Sequence, residues 1–305
     1  MRSTADNRRD VVKEHRVIIT ADDFGLVPEI NDAVLRGYDN GVVTSAALRV
    51  NATASASAAA SAALRPGLAV GLHLVLCDGQ STLPRRHIPG LVDSTGRFVT
   101  QPLEAAWNYR RRAGLVDELR SEIRAQIERF MSTNLTMTFI SSHYQLHLHP
   151  VVASILVELS SEYPIVAMRK PCATLAMFER RPAIPAMQTA LEVRLLKAVV
   201  RRGTFRVRRF IGPDRVERLA PQRPAVESDV VMRLGKMRRG VTELVCHPGS
   251  LLPRYDGTGE AAVVTSTVVR DALAAGQVKK ISWAHLIGEV PASAGALARP
   301  ATAPG

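Results

Sequence analysis

Short apolar β-rich runs alternate with helical stretches along nearly the whole chain, and few folds can bury such a pattern. The β-rich runs fall at residues 16–21, 44–51, 69–76, 138–142, 165–169, 242–246 and 280–283. Between them lie helical stretches at 28–40, 52–64, 115–131, 151–162, 228–239 and 261–275. A strand followed by a helix returns to its sheet in the same direction, so repeated units build a parallel sheet. That sheet either closes into a barrel or stays open and doubly wound. The 52–64 stretch is almost pure Ala and Ser, and is expected to be a closely packed helix because Pro66-Gly67 and another strand follow at once.

Residues able to do chemistry collect at one place in this pattern, and they decide for the barrel. Asp22-Asp23 ends the first run, His73 lies late in the third, His143 follows Ile140-Ser141-Ser142, and His247 follows Leu244-Val245-Cys246. In a barrel of parallel strands the C-terminal ends open onto one face, where catalytic groups gather. We therefore expect an α/β fold, specifically a TIM-like (β/α) barrel, irregular with seven or eight strands. A single domain is expected over 16–289, with a flexible N-terminus at 1–15 and a disordered tail, rich in Ala, Pro and Gly, at 290–305.

Each of these polar residues has an ordinary explanation when taken alone. A histidine at a strand end is usually a satisfied polar group, and Asp-Asp before Phe-Gly is often a turn or a helix cap. Together they point elsewhere. Two adjacent carboxylates beside Val17-Ile18-Ile19 cost free energy unless a cation compensates them. Asp23, His73 and His143 are the expected ligands of one divalent metal ion, zinc or magnesium; two imidazoles favour zinc or another late transition metal. Asp22 is the expected general base toward a water that the cation acidifies, and His247 the group that protonates a leaving amine or stabilises an oxyanion. Two further histidines crowd Ser142-His143-Tyr144-Gln145-Leu146-His147-Leu148-His149-Pro150. His149 is expected to cap the helix after Pro150, while His147 fits a structural and a substrate-lining role equally.

These segments resemble the signatures of the YdjC-like carbohydrate deacetylases. The resemblance rests on Thr20-Ala21-Asp22-Asp23-Phe24-Gly25-Leu26, on Gly71-Leu72-His73-Leu74 and on the segment 142–150. Leu26-Val27-Pro28-Glu29-Ile30-Asn31, Ile88-Pro89-Gly90-Leu91-Val92-Asp93 and Val241-Thr242-Glu243-Leu244-Val245-Cys246-His247-Pro248 are similar to the hopanoid-biosynthesis-associated (HpnK-type) branch. The resemblance implies a TIM-like barrel, a bound divalent metal and hydrolysis of an N-acetyl group. It places Asp23, His73 and His143 at ligand positions and Asp22 at the base position. Arg169, in Met168-Arg169-Lys170-Pro171, resembles the Arg-x-Pro element whose arginine orients the base. Two positions depart from the family: an acidic or amide residue is usual where Ser141 stands, and a histidine where Gln145 stands.

Composition narrows the partners. The 305 residues carry 40 Lys plus Arg against 28 Asp plus Glu, a formal charge of +12. Nine basic and two acidic residues fall between Arg194 and Arg218. Such a balance favours anionic surroundings, while the run from Arg194 to Arg218 fits a plain solvated face as well as an anionic membrane surface. No nucleic-acid motif accompanies the run, so no nucleic-acid partner is expected. The three cysteines, Cys77, Cys172 and Cys246, form no disulfide pattern, which suits a reducing compartment. With no signal-peptide pattern and no apolar run of membrane-spanning length, the expected location is cytoplasmic, peripheral to the inner membrane. The expected substrate is an N-acetylated sugar or a glycolipid, an N-acetylglucosamine unit on a hopanoid lipid if the branch is right. Deacetylation of soluble chito-oligosaccharides and sugar binding without hydrolysis are the alternatives.

Overall fold

The computed structural model describes residues 14–171, 203–219, 225–249, 258–276 and 278–289. Expectations for 1–13, for the basic stretch before Gly203, and for 290–305 lie outside these residues.

The first strand, β1 (His15–Phe24), is the centre of the sheet. Val17, Ile18 and Ile19 are all fully buried, as expected of a strand covered on both faces. It is followed by β2 (Ser45–Leu48), β3 (Ala69–Leu74), β4 (Ile140–Ser142), β5 (Arg215–Arg218), β6 (Gly240–Cys246) and β7 (Val278–Lys280). The order across the sheet is β4-β3-β2-β1-β6-β5, and β7 joins β1 alongside His15 to Val17. Every strand pair is parallel.

The sheet is a half-barrel, not the closed TIM-like barrel expected from the sequence. Between its edges β4 and β5, residues 165–169 form no continuous ladder among the described residues. They make single bridges, Met168 to Ile140 and Ala167 to Ile211. Alternating strands and helices dictate parallel pairing, but closure also needs a matched stagger around the whole ring, which the alternation does not encode.

Helices cover the outer face: α1 (Pro28–Asp39), α2 (Ser55–Ala63), α3 (Pro102–Arg111), α4 (Leu115–Met131), α5 (Pro150–Leu159), α6 (Glu227–Gly235), α7 (Thr258–Thr265) and α8 (Thr267–Ala275). Pro28 opens α1, where its missing N–H costs nothing, and Ile30, Ala33, Val34 and Gly37 form its buried stripe. The Ala-Ser stretch is a helix, buried through Ala58, Ala59 and Ala62. The α4 bounds match the expectation, whereas the stretch expected as one helix over 261–275 breaks into α7 and α8. There the Ser266 hydroxyl accepts from the N–H of Val269 and starts a new helix. The α3 helix was not foreseen; its first-turn Pro102 ends a segment otherwise rich in loop residues. Among the described residues no helix is long and apolar enough to cross a membrane.

The two faces of the sheet differ in what they bury. Val17, Ile19 and Ala21 join the large core beneath the helices. Ile18, Ala47, Ala69, Phe139, Ala167 and Val241 join a smaller apolar cluster on the inner face with Trp283, the first residue of α9 (Trp283–Gly288). The Trp283 and Phe139 rings stack with centroids 4.5 Å apart. Gly71 makes room for this floor, since a Cβ there would lie 2.5 Å from the Phe139 ring.

Candidate metal and catalytic site

Side chains alternate across a strand, so residues two or four positions beyond the inner apolar floor point the same way. That count gives Asp22 above Ile18, Arg49 above Ala47, His73 above Ala69, Ser141 and His143 above Phe139, Arg169 above Ala167, and Glu243 above Val241. All seven are buried, and together they form a polar layer over an apolar one.

Asp23 follows Asp22 directly and should face away. The chain prevents this with a register shift between Ala21 and Phe24 in the β1–β2 ladder and a left-handed backbone at Asp23, φ 62°. Left-handed backbone at a non-glycine residue is strained and persists where the surroundings impose it. Gly25, φ 92°, completes the turn, and its N–H donates to Asn31 Oδ1 at 2.7 Å. Both carboxylates thereby reach one site, as the sequence suggested.

One donor atom from each of Asp23, His73 and His143 lies within 4.8 Å of the other two. His73 Nδ1 pairs with the Ser141 hydroxyl at 2.9 Å, while its buried Nε2 has no hydrogen-bond partner and lies 3.6 Å from Asp23 Oδ1. A buried ring nitrogen without a partner, aimed at a carboxylate, fits a cation ligand. Ser141 supplies the outer contact that turns this ring nitrogen toward the site, as an acidic or amide residue could. Burial lowers the His73 pKa to about 4 despite the nearby Asp22 and Asp23. Burial likewise holds His143 well below its ordinary value, with Arg49 adding to the effect. Both rings are therefore neutral lone-pair donors near pH 7. Asp23 is ionised: burial pushes its carboxyl upward, but Arg49, His143 and His73 outweigh this and hold it far below the usual range. These three residues fit one divalent cation with neutral-imidazole and carboxylate donors.

Asp22 has a different neighbourhood. Arg169 Nη1 and Nη2 donate to its two oxygens at 2.7 and 2.8 Å. Burial raises the Asp22 pKa, yet Arg169 and then His73 lower it further, leaving a carboxylate able to accept a proton. His247 follows β6 with Nε2 4.0 Å from Asp22 Oδ2, and its backbone N–H donates to Glu260 of α7 at 2.6 Å. The structure thus brings Asp22, Asp23, His73, His143, Arg169 and His247 to one place.

The other two histidines of the 142–150 segment make structural contacts. His147 is fully buried, with Nδ1 2.6 Å from the Ser142 hydroxyl and Nε2 3.0 Å from the Arg169 carbonyl oxygen. Both its nitrogens are engaged in holding the turn after β4, whose Tyr144 and Gln145 have φ of 54°. His149 caps α5, its Nδ1 accepting from the Val151 N–H at 3.3 Å.

The model of the family described as YdjC-like protein matches residues 16–275. The chain belongs to the YdjC-like family. Among its relatives is a carbohydrate deacetylase of Geobacillus stearothermophilus, 40% identical over 146 residues, which are 48% of this chain and 56% of that protein. Another is a carbohydrate deacetylase of Brevibacillus brevis, 35% identical over 150 residues, 49% of this chain and 57% of that protein. The chain therefore matches little more than half the length of these curated relatives. A solved structure of an Enterococcus faecalis V583 protein, named for cellobiose-phosphate cleavage, is 24% identical with a TM-score of 0.65. It covers 90% of this chain and 99% of that one, so the fold is shared along most of both.

Sequence reasoning missed two charged residues that the structure adds to this candidate site. Arg49 Nη1 donates to Asp23 Oδ1 at 3.1 Å. Glu243, with no exposed surface, accepts from Arg169 Nε at 3.1 Å and Nη2 at 2.9 Å, and from Trp283 Nε1 at 3.2 Å. A signal existed: each is a lone charge inside a buried strand run, Ala46-Ala47-Leu48-Arg49-Val50 and Val241-Thr242-Glu243-Leu244-Val245, and such a charge needs a partner.

Proposed function

We propose that this chain is a metal-dependent carbohydrate deacetylase that hydrolyses the N-acetyl group of an N-acetylglucosamine unit. The observation that carries the reading is the division of labour between two adjacent carboxylates. Asp23 lies within 4.8 Å of the His73 and His143 donor atoms, while Asp22 is held by Arg169. A binding protein has no use for the second arrangement.

A divalent cation held by Asp23, His73 and His143 supplies Lewis acidity, polarising the amide carbonyl and acidifying water. Asp22 takes the proton of the attacking water as the new C–O bond forms. The C–N bond then breaks, and His247 delivers a proton to the departing nitrogen, so that acetate and a free amine leave. Arg169 keeps the Asp22 carboxylate in a fixed orientation for the first of these transfers.

The glycolipid form of the substrate is supported by an exposed surface that follows Gly203. Gly203 packs on Leu148, in the segment that carries His143, and residues 203–207 are helical. Phe205 there is 74% exposed and is followed by Arg206, Arg208 and Arg209. An apolar side chain among guanidinium groups suits an anionic lipid surface, each basic group near it contributing about 1 kcal/mol. The expected companions Arg194, Lys197, Arg201 and Arg202 lie outside the described residues. On this reading the substrate is an N-acetylglucosaminyl lipid, a hopanoid glycolipid if the branch resemblance holds, and the enzyme is peripheral to the inner membrane.

Acetate release, measured side by side on an N-acetylglucosaminyl lipid in anionic vesicles and on soluble chitobiose, tests this with zinc or magnesium added. Release from the vesicles that weakens with salt is expected. Release from chitobiose alone would replace the lipid by a soluble oligosaccharide, and release from neither would remove the deacetylase reading.

A further inference from the structure

Arg169 meets two carboxylates along two different edges. Its Nη1 and Nη2 donate end-on to the two oxygens of Asp22. Its Nε and Nη2 donate side-on to Glu243, at 3.1 and 2.9 Å. A guanidinium is planar and presents its donors in a rigid fork, so fixing one edge fixes the other. Glu243 cannot itself reach a substrate. The β1–β6 register pairs it with Ile18, four residues below Asp22, and no part of it is exposed. Its other bond, from Trp283 Nε1 at 3.2 Å, anchors it to the ring stacked on Phe139 in the apolar floor. A chain of contacts thus runs from the rigid floor to the candidate base: Trp283, Glu243, Arg169, Asp22.

We propose that Glu243 is a positioning residue for the reaction, holding Arg169 at the one rotation in which both its Nη groups grip Asp22. The inference rests on the deacetylase reading of the site, to which it adds a residue acting through two others. In Glu243→Gln one oxygen can still accept from Nη2, but the negative charge is lost and an amide NH2 replaces the Oε2 that accepts from Arg169 Nε at 3.1 Å, so the side-on edge is no longer held on both of its donors. The guanidinium then turns to share the Asp22 carboxylate differently, and the carboxylate loses its fixed aim. A merely structural Glu243 would instead lower stability and leave turnover of the folded enzyme unchanged.

The test is a double-mutant cycle in the full chain, with acetate release from chitobiose and from the vesicle-bound glycolipid as the rate. Glu243→Gln is expected to lower kcat by roughly 10- to 100-fold, the scale for outer contacts that orient working groups. KM and bound cation are expected to stay unchanged. Glu243→Asp, which keeps the charge, should recover part of the loss. In an Asp22→Asn background, Glu243→Gln should cost no more than about 2-fold, because residues acting in series are not additive. Equal losses in both backgrounds, or no loss in either, would overturn the inference.

A second arm needs no turnover. The chain has two tryptophans, so Trp107→Phe leaves Trp283 as the sole emitter. Asp22→Asn should then alter Trp283 emission when Glu243 is present and leave it unchanged in Glu243→Gln. Transmitted emission without acetate release in the parent would sink the deacetylase reading and keep the positioning chain. Acetate release with no transmission and full additivity would do the reverse.

Discussion

Replacing His73 or His143 with Ala is expected to remove most bound divalent cation and nearly all acetate release while the fold persists. Each imidazole is neutral and buried, and offers one nitrogen within 4.8 Å of the other donors. Lewis-acid stabilisation worth several kcal/mol disappears with the cation. At about 4 kcal/mol the rate falls roughly 10³-fold. Asp23 needs a gentler change. Its Oδ1 also accepts from the buried Arg49, so Asp23→Ala strands a cation in the interior, a loss on the order of 3–5 kcal/mol of stability. Asp23→Asn keeps an oxygen for Arg49 and isolates the effect on the metal. Metal analysis of each purified variant, paired with its unfolding midpoint, checks this. Full occupancy in His73→Ala would place the cation elsewhere.

Asp22→Asn is expected to separate chemistry from binding. The amide oxygen still accepts from Arg169 and the cation ligands are untouched, but the group no longer takes a proton. Turnover should fall by about 10²-fold or more, the scale for a positioned base, with bound cation and KM unchanged. Steady-state kinetics beside metal analysis decides the matter. A turnover within a few-fold of the parent would transfer the role of base to another group, and His247, 4.0 Å away, is the first place to look.

The site was legible in the sequence where a polar residue ended an apolar run. Asp22, Asp23, His73, His143 and His247 all stand at such ends, and strand direction alone gathers them on one edge. Arg169 was legible only through resemblance. Arg49 and Glu243 were not read because they sit inside runs, where one charge looks like an irregularity. Only period-2 counting from Ala47 and Val241 shows that each points toward the same interior as Asp22. The 165–169 run was expected to be a full strand, but its contacts reduce to two single bridges. Local β propensity says nothing of whether a neighbour lies at the right stagger. The same limit applies to the barrel: parallel order was predictable, closure was not. At Asp23 the left-handed turn could be anticipated from Gly25 and from the need to bring two carboxylates together, although no local rule favours it.

The central claim is that Asp23, His73 and His143 hold a divalent cation on which amide hydrolysis depends. The most direct measurement is a cation titration of chelator-stripped protein, with bound cation and acetate release determined in the same samples. Release should rise in proportion to bound cation and level off at about one cation per chain, while His73→Ala stays flat across the titration. Undiminished acetate release from the stripped protein, or release that does not follow the bound cation, would contradict it.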